Sequence, residues 1–427
     1  MSRPKLLFLC QTLPYPPDGG VWIRTYHVLR LLSQAFDITA LCFERATSAG
    51  QDVDGKVVAA CQELGRFARV EVFSIPQKHS RIRYLWDHLR SATCARVYTA
   101  YLYESRVFRE RLRELLRSTA FDLVHVDSLD LAGYLTLLRD VPIVCVHHDI
   151  ESSLLRRRAD IERSWWRRRY LRLQARFMEQ TERAWCGRIA LNVTMSRHDA
   201  ALLERLVPGA RTSVVPNGVD IEEFQPVAAD GAGLAYVGGT NPFPNLDALN
   251  FFCEEILPGL RATVPGVRVR WIGRASTEER RRYREQCGVD VTGYVDDVKP
   301  LMADATCHIV PLRIGGGTRL KILNSWAMGK PVVATSLGCE GLEAKDGSNI
   351  LIRDDPRSFA DAVVRLLTDR ALREAIGTSG RATVERLYSW DVIGNALIQH
   401  YLAIANARSR DLTPGVAFAR RAQYHHS

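Results

Sequence analysis

Short apolar runs rich in β-branched residues alternate along this chain with longer stretches in which apolar positions recur at helical spacing. In the first half the runs fall at residues 6–10, 38–43, 70–73, 123–126, 143–146, 189–194 and 213–215. In the second half they fall at 234–237, 267–272, 289–292, 307–310, 332–334 and 350–352. Runs this short with few polar interruptions read as strands covered on both faces, and their alternation with helical segments predicts parallel sheets wrapped by helices. The pattern therefore predicts an α/β chain with two doubly wound parallel sheets.

Turn formers concentrate in Val215-Pro216-Asn217-Gly218-Val219-Asp220, which sets a domain boundary near residue 216. The expected division is a first domain over 1–215 and a second over 216–387. A last amphipathic run carrying Leu387, Tyr388, Trp390, Ile393, Leu397, Ile398, Tyr401 and Leu402 is expected as a helix over 388–406 that packs back on the first domain. Residues 408–427, with Arg420-Arg421 and His425-His426, lack any period and are expected as a loose basic tail.

At 427 residues with 46% hydrophobic content, the chain suits two to three globular domains, and general disorder is excluded. Lys+Arg 58 against Asp+Glu 48 leaves a net charge of +10, which favours acidic partners without choosing among phosphates, nucleic acid and anionic lipid. The 10 cysteines stand singly in apolar surroundings without CxxC or zinc-type spacing, and read as buried free thiols of a reducing compartment. The apolar run at residues 6–10 is too short for a signal peptide, and no stretch reaches the ~18–20 apolar residues of a membrane span. A cytoplasmic protein, soluble or peripheral on the inner membrane face, is expected.

The densest chemistry lies in Val310-Pro311-Leu312-Arg313-Ile314-Gly315-Gly316-Gly317-Thr318-Arg319-Leu320-Lys321-Ile322-Leu323-Asn324. A strand ends at Pro311, Gly315, Gly316 and Gly317 let backbone approach a ligand, and Thr318 is expected to open a helix whose free amides face it. Arg319 and Lys321 put charge in the first turn, where the helix dipole disfavours cations unless an anion compensates them; a diphosphate is the natural anion. No metal-ligand constellation accompanies them. Asp296-Asp297 precedes a helical segment and reads as capping rather than as a metal-binding pair.

This segment, with Gly293-Tyr294-Val295-Asp296-Asp297 before it and Gly338-Cys339-Glu340-Gly341-Leu342 after it, resembles the retaining glycosyltransferases of family 4 in their Gly-Gly-Gly-Thr-Arg-Leu-Lys variant. Further matching segments are the Gly19-Gly20 loop, His148-Asp149-Ile150-Glu151-Ser152 and Tyr236-Val237-Gly238-Gly239 with Pro244-Asn245-Leu246-Asp247, so the resemblance runs nearly end to end. It implies a GT-B fold of two facing Rossmann-like domains and transfer of a sugar from a nucleoside-diphosphate donor to an acceptor hydroxyl. It further implies that the second domain holds the donor, that Arg319 and Lys321 neutralise the leaving diphosphate without a metal, and that His148 hydrogen-bonds the transferred sugar. The donor side would comprise Gly19, Gly20, Gly238, Gly239, Arg274, Tyr294, Val295, Gly315, Gly316, Gly317, Thr318 and Asn324. Arg24 could point to the same cleft, and Glu151 could orient His148 or bind an arginine. No cofactor beyond the nucleotide sugar is implied.

Two departures from the family pattern stand out. Where relatives keep a ribose-binding glutamate, this chain has Asn324, and the glutamate separated from it by seven residues is replaced by Gly316. The Arg and Lys that many members place after the first strand of this domain are here Gly239 or Thr240 and Asn245. Asn324 motivates an alternative, a non-catalytic binding or partner subunit on the same fold; a nucleotide-sugar epimerase is another, since some share the architecture.

Residues 156–188, bounded by Arg156 and Arg188, are strongly basic around Trp165, Trp166 and Trp185. Such a segment either lies on an anionic membrane surface, which would suit a lipid-linked acceptor, or forms a solvated cationic face with its tryptophans packed inward. No RNA- or DNA-binding motif accompanies the charge, so nucleic acid is not expected as a partner; the acceptor is expected to be a glycan, a lipid-linked saccharide or another small molecule.

Overall fold

The computed structural model describes residues 3–44, 53–227, 233–240, 243–315 and 319–411. They form two compact units, one of the chain up to Val215 with the stretch from Gly394 onward, the other from Pro216 to Ile393.

The first unit is built on β1 (Lys5–Cys10), β2 (Asp37–Phe43), β3 (Arg69–Phe73), β4 (Leu123–Val126), β5 (Ile143–His147), β6 (Leu191–Thr194) and β7 (Thr212–Val214). These make one 7-stranded sheet in the order β3-β2-β1-β4-β5-β6-β7, parallel throughout. The second unit carries β8 (Gly233–Val237), β9 (Arg268–Ile272), β10 (Val289–Val291), β11 (Cys307–Val310), β12 (Val332–Ala334) and β13 (Leu351–Ile352). They form a 6-stranded parallel sheet in the order β10-β9-β8-β11-β12-β13. Each apolar run of the sequence has become a strand, trimmed by a residue or so where an end residue such as Thr292 leaves the ladder.

Each sheet is a doubly wound Rossmann-like layer, and the reason lies in burial. The central strands β4, β5 and β11 are buried at every position, so alternation is absent and the run is continuous. The strand order reverses between β1 and β4 in one unit and between β8 and β11 in the other. At such a switch point the crossovers leave to opposite faces and open a crevice at the carboxyl ends of the strands.

The helix Trp390–Asp411 begins in the second unit, and from Gly394 onward it belongs to the first. There Leu397, Tyr401 and Ala405 are buried, and the Tyr401 hydroxyl lies 2.7 Å from His125 Nδ1. Arg408 extends the attachment, donating to the Phe121 carbonyl at 2.9 Å. Residues 412–427 of the expected tail lie outside the described residues.

The cysteines are free thiols, most of them buried, but Cys94 is exposed. It ends the helix Arg81–Thr93 at a surface turn, where no core is available to cover it.

Two buried histidines tie the sheets to pH. His147 of β5 pairs with Asn192 Oδ1 at 3.0 Å, and His308 of β11 lies 3.0 Å from the Met302 carbonyl and 2.5 Å from Ser325 Oγ. Burial pushes each imidazole down to about 4. An unfolded histidine protonates near 6.5, so between those values the unfolded chain binds more protons and stability falls as pH falls. Urea denaturation at pH 7 and pH 5 should show a loss of about 1–2 kcal/mol for each histidine. Equal midpoints at the two pH values would overturn this account.

Candidate functional site

In the first unit the switch point gathers the end of β4 and the loops after β1 and β5. Gly19 caps the helix Gly20–Leu32 in extended backbone, and a Cβ placed there would come within 2.5 Å of the Trp22 ring. Trp22 is itself held by a 2.9 Å bond from its indole to Thr12 Oγ1, so packing alone requires Gly19. Arg24, which could point to the crevice, is buried beside Tyr401 and Asp127.

The organising group here is Asp127, the residue after β4. Its carboxylate accepts from Thr25 Oγ1 at 3.0 Å and lies 3.5 Å from His125 Nε2 and 3.6 Å from His148 Nε2. Burial pushes this carboxyl upward, but His148 and His125 outweigh it and hold Asp127 below the usual carboxylate range. His148 follows β5, nearly buried, and its Nε2 makes no hydrogen bond among the described residues. Asp127, rather than Glu151, is the carboxylate at His148. Glu151 opens the helix Glu151–Ile161, where burial and then the charges of Asp130 and Asp149 raise its carboxyl well above the ordinary value.

In the second unit the loops after β8 and β9 cross at backbone contact. A Cβ on Gly239 would meet the Arg274 carbonyl oxygen at 2.2 Å, and Gly273 takes φ +146 opposite the Gly239 nitrogen. The Gly238 amide donates to the Ile272 carbonyl at 2.7 Å and the Thr240 amide to the Arg274 carbonyl at 2.9 Å. These glycines thus serve the crossing of two loops, and the two flanking amides are already spent on it.

The helix Leu320–Ala327 follows β11 and begins later than the sequence suggests. Arg319 is its N-cap, while Gly316, Gly317 and Thr318 lie outside the described residues. Gly315, at φ +121, is described and packs against Pro244. Arg319 is buried and donates through Nε and Nη2 to the Leu337 carbonyl at 3.3 and 3.1 Å. Lys321 Nζ donates to the Tyr236 hydroxyl at 2.5 Å and to Asn245 Oδ1 at 3.2 Å, 3.9 Å above the Tyr236 ring. Tyr236 in turn stacks on Trp271 at 3.7 Å and bonds Asn245 at 2.6 Å, so the lysine rests on a fixed platform. Among the described residues no carboxylate pairs with Lys321; burial, and then the charge of Arg319, push its ammonium well below the usual lysine range.

Asn324, one turn after Lys321, is partly buried and its amide has no hydrogen-bond partner among the described residues. Arg274 and Tyr294 are exposed and pair with each other, guanidinium 4.9 Å from the ring, while Val295 is half-buried against a small apolar cluster. Asp297 accepts the Lys299 amide at 2.9 Å at the start of the helix Lys299–Ala303, so it does satisfy a helix terminus. Among the described residues no group of three or more His, Cys, Asp or Glu side chains is placed to hold a metal.

Two family models match in tandem along the chain: Glycosyltransferase Family 4 over residues 18–223 and Glycosyl transferases group 1 over residues 231–369. The chain belongs to glycosyltransferase family 4. A Mycobacterium leprae phosphatidyl-myo-inositol mannosyltransferase is 27% identical over 241 residues, covering 52% of this chain and 61% of that protein. A Geodermatophilus obscurus D-inositol 3-phosphate glycosyltransferase is 29% identical over 233 residues, covering 48% and 51%. The chain thus spans about half to three fifths of the length of the curated relatives it matches. Among solved structures, sucrose-phosphate synthase from Thermosynechococcus elongatus superposes with TM-score 0.69 at 18% identity over 94% of this chain and 100% of that one. At that identity the likeness shows the fold, which is GT-B.

Family membership changes how the second unit reads. The family's lysine and arginine after the first strand of this unit are absent, and Asn245, one of the replacing residues, instead holds Lys321 in place. Sequence reasoning missed Asp127 and the Tyr236 platform. Asp127 had a signal, a single carboxylate directly behind a fully buried strand; Tyr236 had none, because its partner Asn245 read only as a missing lysine.

An anion arriving at Lys321 would reverse the cost of its charge, since an opposite charge nearby favours the ammonium form. Binding of inorganic pyrophosphate should therefore take up a proton and weaken as pH rises through the window between Lys321's depressed free value and its higher bound value. Calorimetry in two buffers of unlike ionisation heat should detect the proton, and Lys321→Met should remove it. An equal proton count in that variant would take Lys321 out of the anion site.

Proposed function

We propose that this family 4 protein transfers a sugar from a nucleoside-diphosphate donor to a hydroxyl of a glycan, a lipid-linked saccharide or another small molecule. In this reading the anomeric configuration is retained and no metal takes part. The observation that carries it is Lys321 beside the buried Arg319, a partly buried cation with which no carboxylate pairs among the described residues.

As the bond from the anomeric carbon to the phosphate oxygen breaks, negative charge gathers on the leaving diphosphate. Lys321 meets that charge without first giving up an ion pair, because its partners are a hydroxyl, an amide oxygen and a ring face. Preorganised charge of this kind is often the largest single contribution to catalysis. The acceptor oxygen forms the new bond on the same face, and its proton passes to a phosphate oxygen of the leaving group. His148, with Asp127 behind it, hydrogen-bonds the sugar; Gly19 and Gly20, Gly238 and Gly239, Arg274, Tyr294 and Val295, the segment from Gly315 to Thr318, and Asn324 supply the donor side.

The names of the curated relatives, enzymes of phosphatidylinositol and inositol phosphate, support a polyol or lipid-linked acceptor. A solved structure of similar fold, the Anabaena protein HepE, holds UDP, which makes UDP one nucleotide to test first. The buried free thiols support a cytoplasmic setting.

Lys321→Ala should lower donor turnover by about 100-fold or more while leaving the melting temperature nearly unchanged, since removing one preorganised donor costs about that much. A normal rate would end the proposed role. The second reading, a non-catalytic subunit, rests on Asn324, an uncharged amide where relatives keep a glutamate. Asn324→Glu separates the two: lower donor affinity in titrations with UDP- and GDP-sugars shows Asn tuned to a working site, whereas gain of affinity and turnover from an inert start shows an eroded one.

A further inference from the structure

The helix Arg81–Thr93 is packed inside out. Its inward side carries Asp87, 1% exposed, which accepts from Gln77 Nε2 at 2.5 Å and has Arg83 and Arg90 at 3.6 and 3.9 Å. Ser91, also buried, receives Gln174 Nε2 at 2.8 Å and donates to the Arg96 carbonyl at 2.7 Å. Its outward side carries Ile82, Leu85, Trp86 and Leu89, from 55% to 82% exposed, at the spacing of one helical face. Water thus meets the apolar stripe while the polar stripe is buried, the reverse of a helix whose only partner is its own domain.

The neighbouring helix Trp165–Trp185 continues the surface. Gln174 bonds Ser91, and Tyr170, one turn earlier, lies with its hydroxyl 2.5 Å from His88 Nδ1. Trp166 lies one turn before Tyr170 at the N-terminal end of this helix. Trp165 and Trp166 are both exposed, Trp165 at 75%, so the inward packing expected of a solvated cationic face does not occur for them. Trp185, near the far end, does pack against the core. Around the exposed pair stand Arg163, Arg167 and Arg169, exposed and without a carboxylate partner among the described residues; Arg167 lies over the Trp166 ring at 5.0 Å. Arg156, Arg172 and Arg183, farther along, are paired with Glu179, Asp160 and Glu179.

We propose that the stripe Ile82, Leu85, Trp86 and Leu89, flanked by Trp165, Trp166 and the three unpaired arginines, docks this protein on an anionic lipid surface. The apolar stripe would enter the boundary between headgroups and acyl chains, the tryptophans would sit at headgroup level, and the arginines would meet lipid phosphates. A stripe bordered by uncompensated cations selects an anionic bilayer over a second copy of this basic chain, which would bring like charges together. No described helix is long and apolar enough to cross a membrane, so the contact is peripheral. The inference goes beyond sugar transfer and does not depend on it.

The test is co-sedimentation of the full chain with phosphatidylcholine vesicles, with and without phosphatidylglycerol, alongside sedimentation equilibrium without lipid. Wild type should bind the anionic vesicles and be released by salt. Leu85→Ser with Trp86→Ser should cut the partition about ten-fold or more, and Trp86→Phe, which keeps the apolar surface, should retain most of it. Replacing Arg163, Arg167 and Arg169 by glutamine should weaken binding and flatten its salt dependence. Because these side chains are exposed, melting temperatures should stay near wild type. Absent binding by wild type, or equal binding by the serine variant, overturns the proposal. So does a dimer dispersed by the same substitutions, which would assign the stripe to a contact between copies.

Discussion

A parallel sheet wound in both directions leaves one place where consecutive crossovers depart to opposite faces, and each sheet of this protein has that place at its centre. In the first unit it lies between β1 and β4, in the second between β8 and β11. The candidate residues sit at the carboxyl ends of these strands and their neighbours β5 and β9: the Gly19–Gly20 turn, Asp127 and His148 on one sheet, and the crossing of Gly239 with Arg274, Gly315, Arg319 and Lys321 on the other. The constraint acts before any side chain is chosen. A crevice that cannot be filled by a crossover helix must be lined by groups that tolerate water or await a ligand.

The two crevices solve that problem with opposite electrostatics. In the first, the buried carboxylate of Asp127 has the buried Arg24, the imidazoles of His125 and His148 and the Thr25 hydroxyl around it. In the second, the buried charges are cations, and Lys321 is held by a hydroxyl, an amide oxygen and a ring face. An ammonium without a counter-ion is costly to keep from water, and Arg319 beside it raises the cost. The first crevice thus carries buried charge of both signs, whereas among the described residues no carboxylate pairs with Lys321 in the second.

The fold was legible because buried parallel strands write themselves as unbroken apolar runs, and Cys307–Val310, buried throughout, is a clear example. Glycines marked the crossing points: Gly239, expected on the donor side, also lies where a Cβ would meet the Arg274 carbonyl. Asp127 and Tyr236 were harder to see because their roles depend on residues distant in sequence, His148 for one and Lys321 for the other. The helix Arg81–Thr93 shows a different limit. Its pattern declares two faces but not which is inward; that was decided by Gln77 and Gln174, polar partners contributed by other segments.

The two departures from the family pattern become one change when placed on this geometry. Losing the phosphate-facing arginine and lysine after β8 removes positive charge from the anion site, and losing the glutamate at position 324 removes negative charge one turn from Lys321. A glutamate there would have drawn part of the field of Lys321 and Arg319 toward itself, since opposite charges at i and i+3 on a helix interact. With Asn324 neutral, the two remaining cations act undiluted on whatever anion arrives, which offsets in part the pair that is missing. The cost falls on recognition of the ribose, where an amide offers one acceptor oxygen instead of a charged pair. On the proposed reading, charge removed from both sides would leave a site that holds its ligand more by the diphosphate and less by the sugar of the nucleoside, with the platform of Tyr236, Trp271 and Asn245 fixing the remaining lysine.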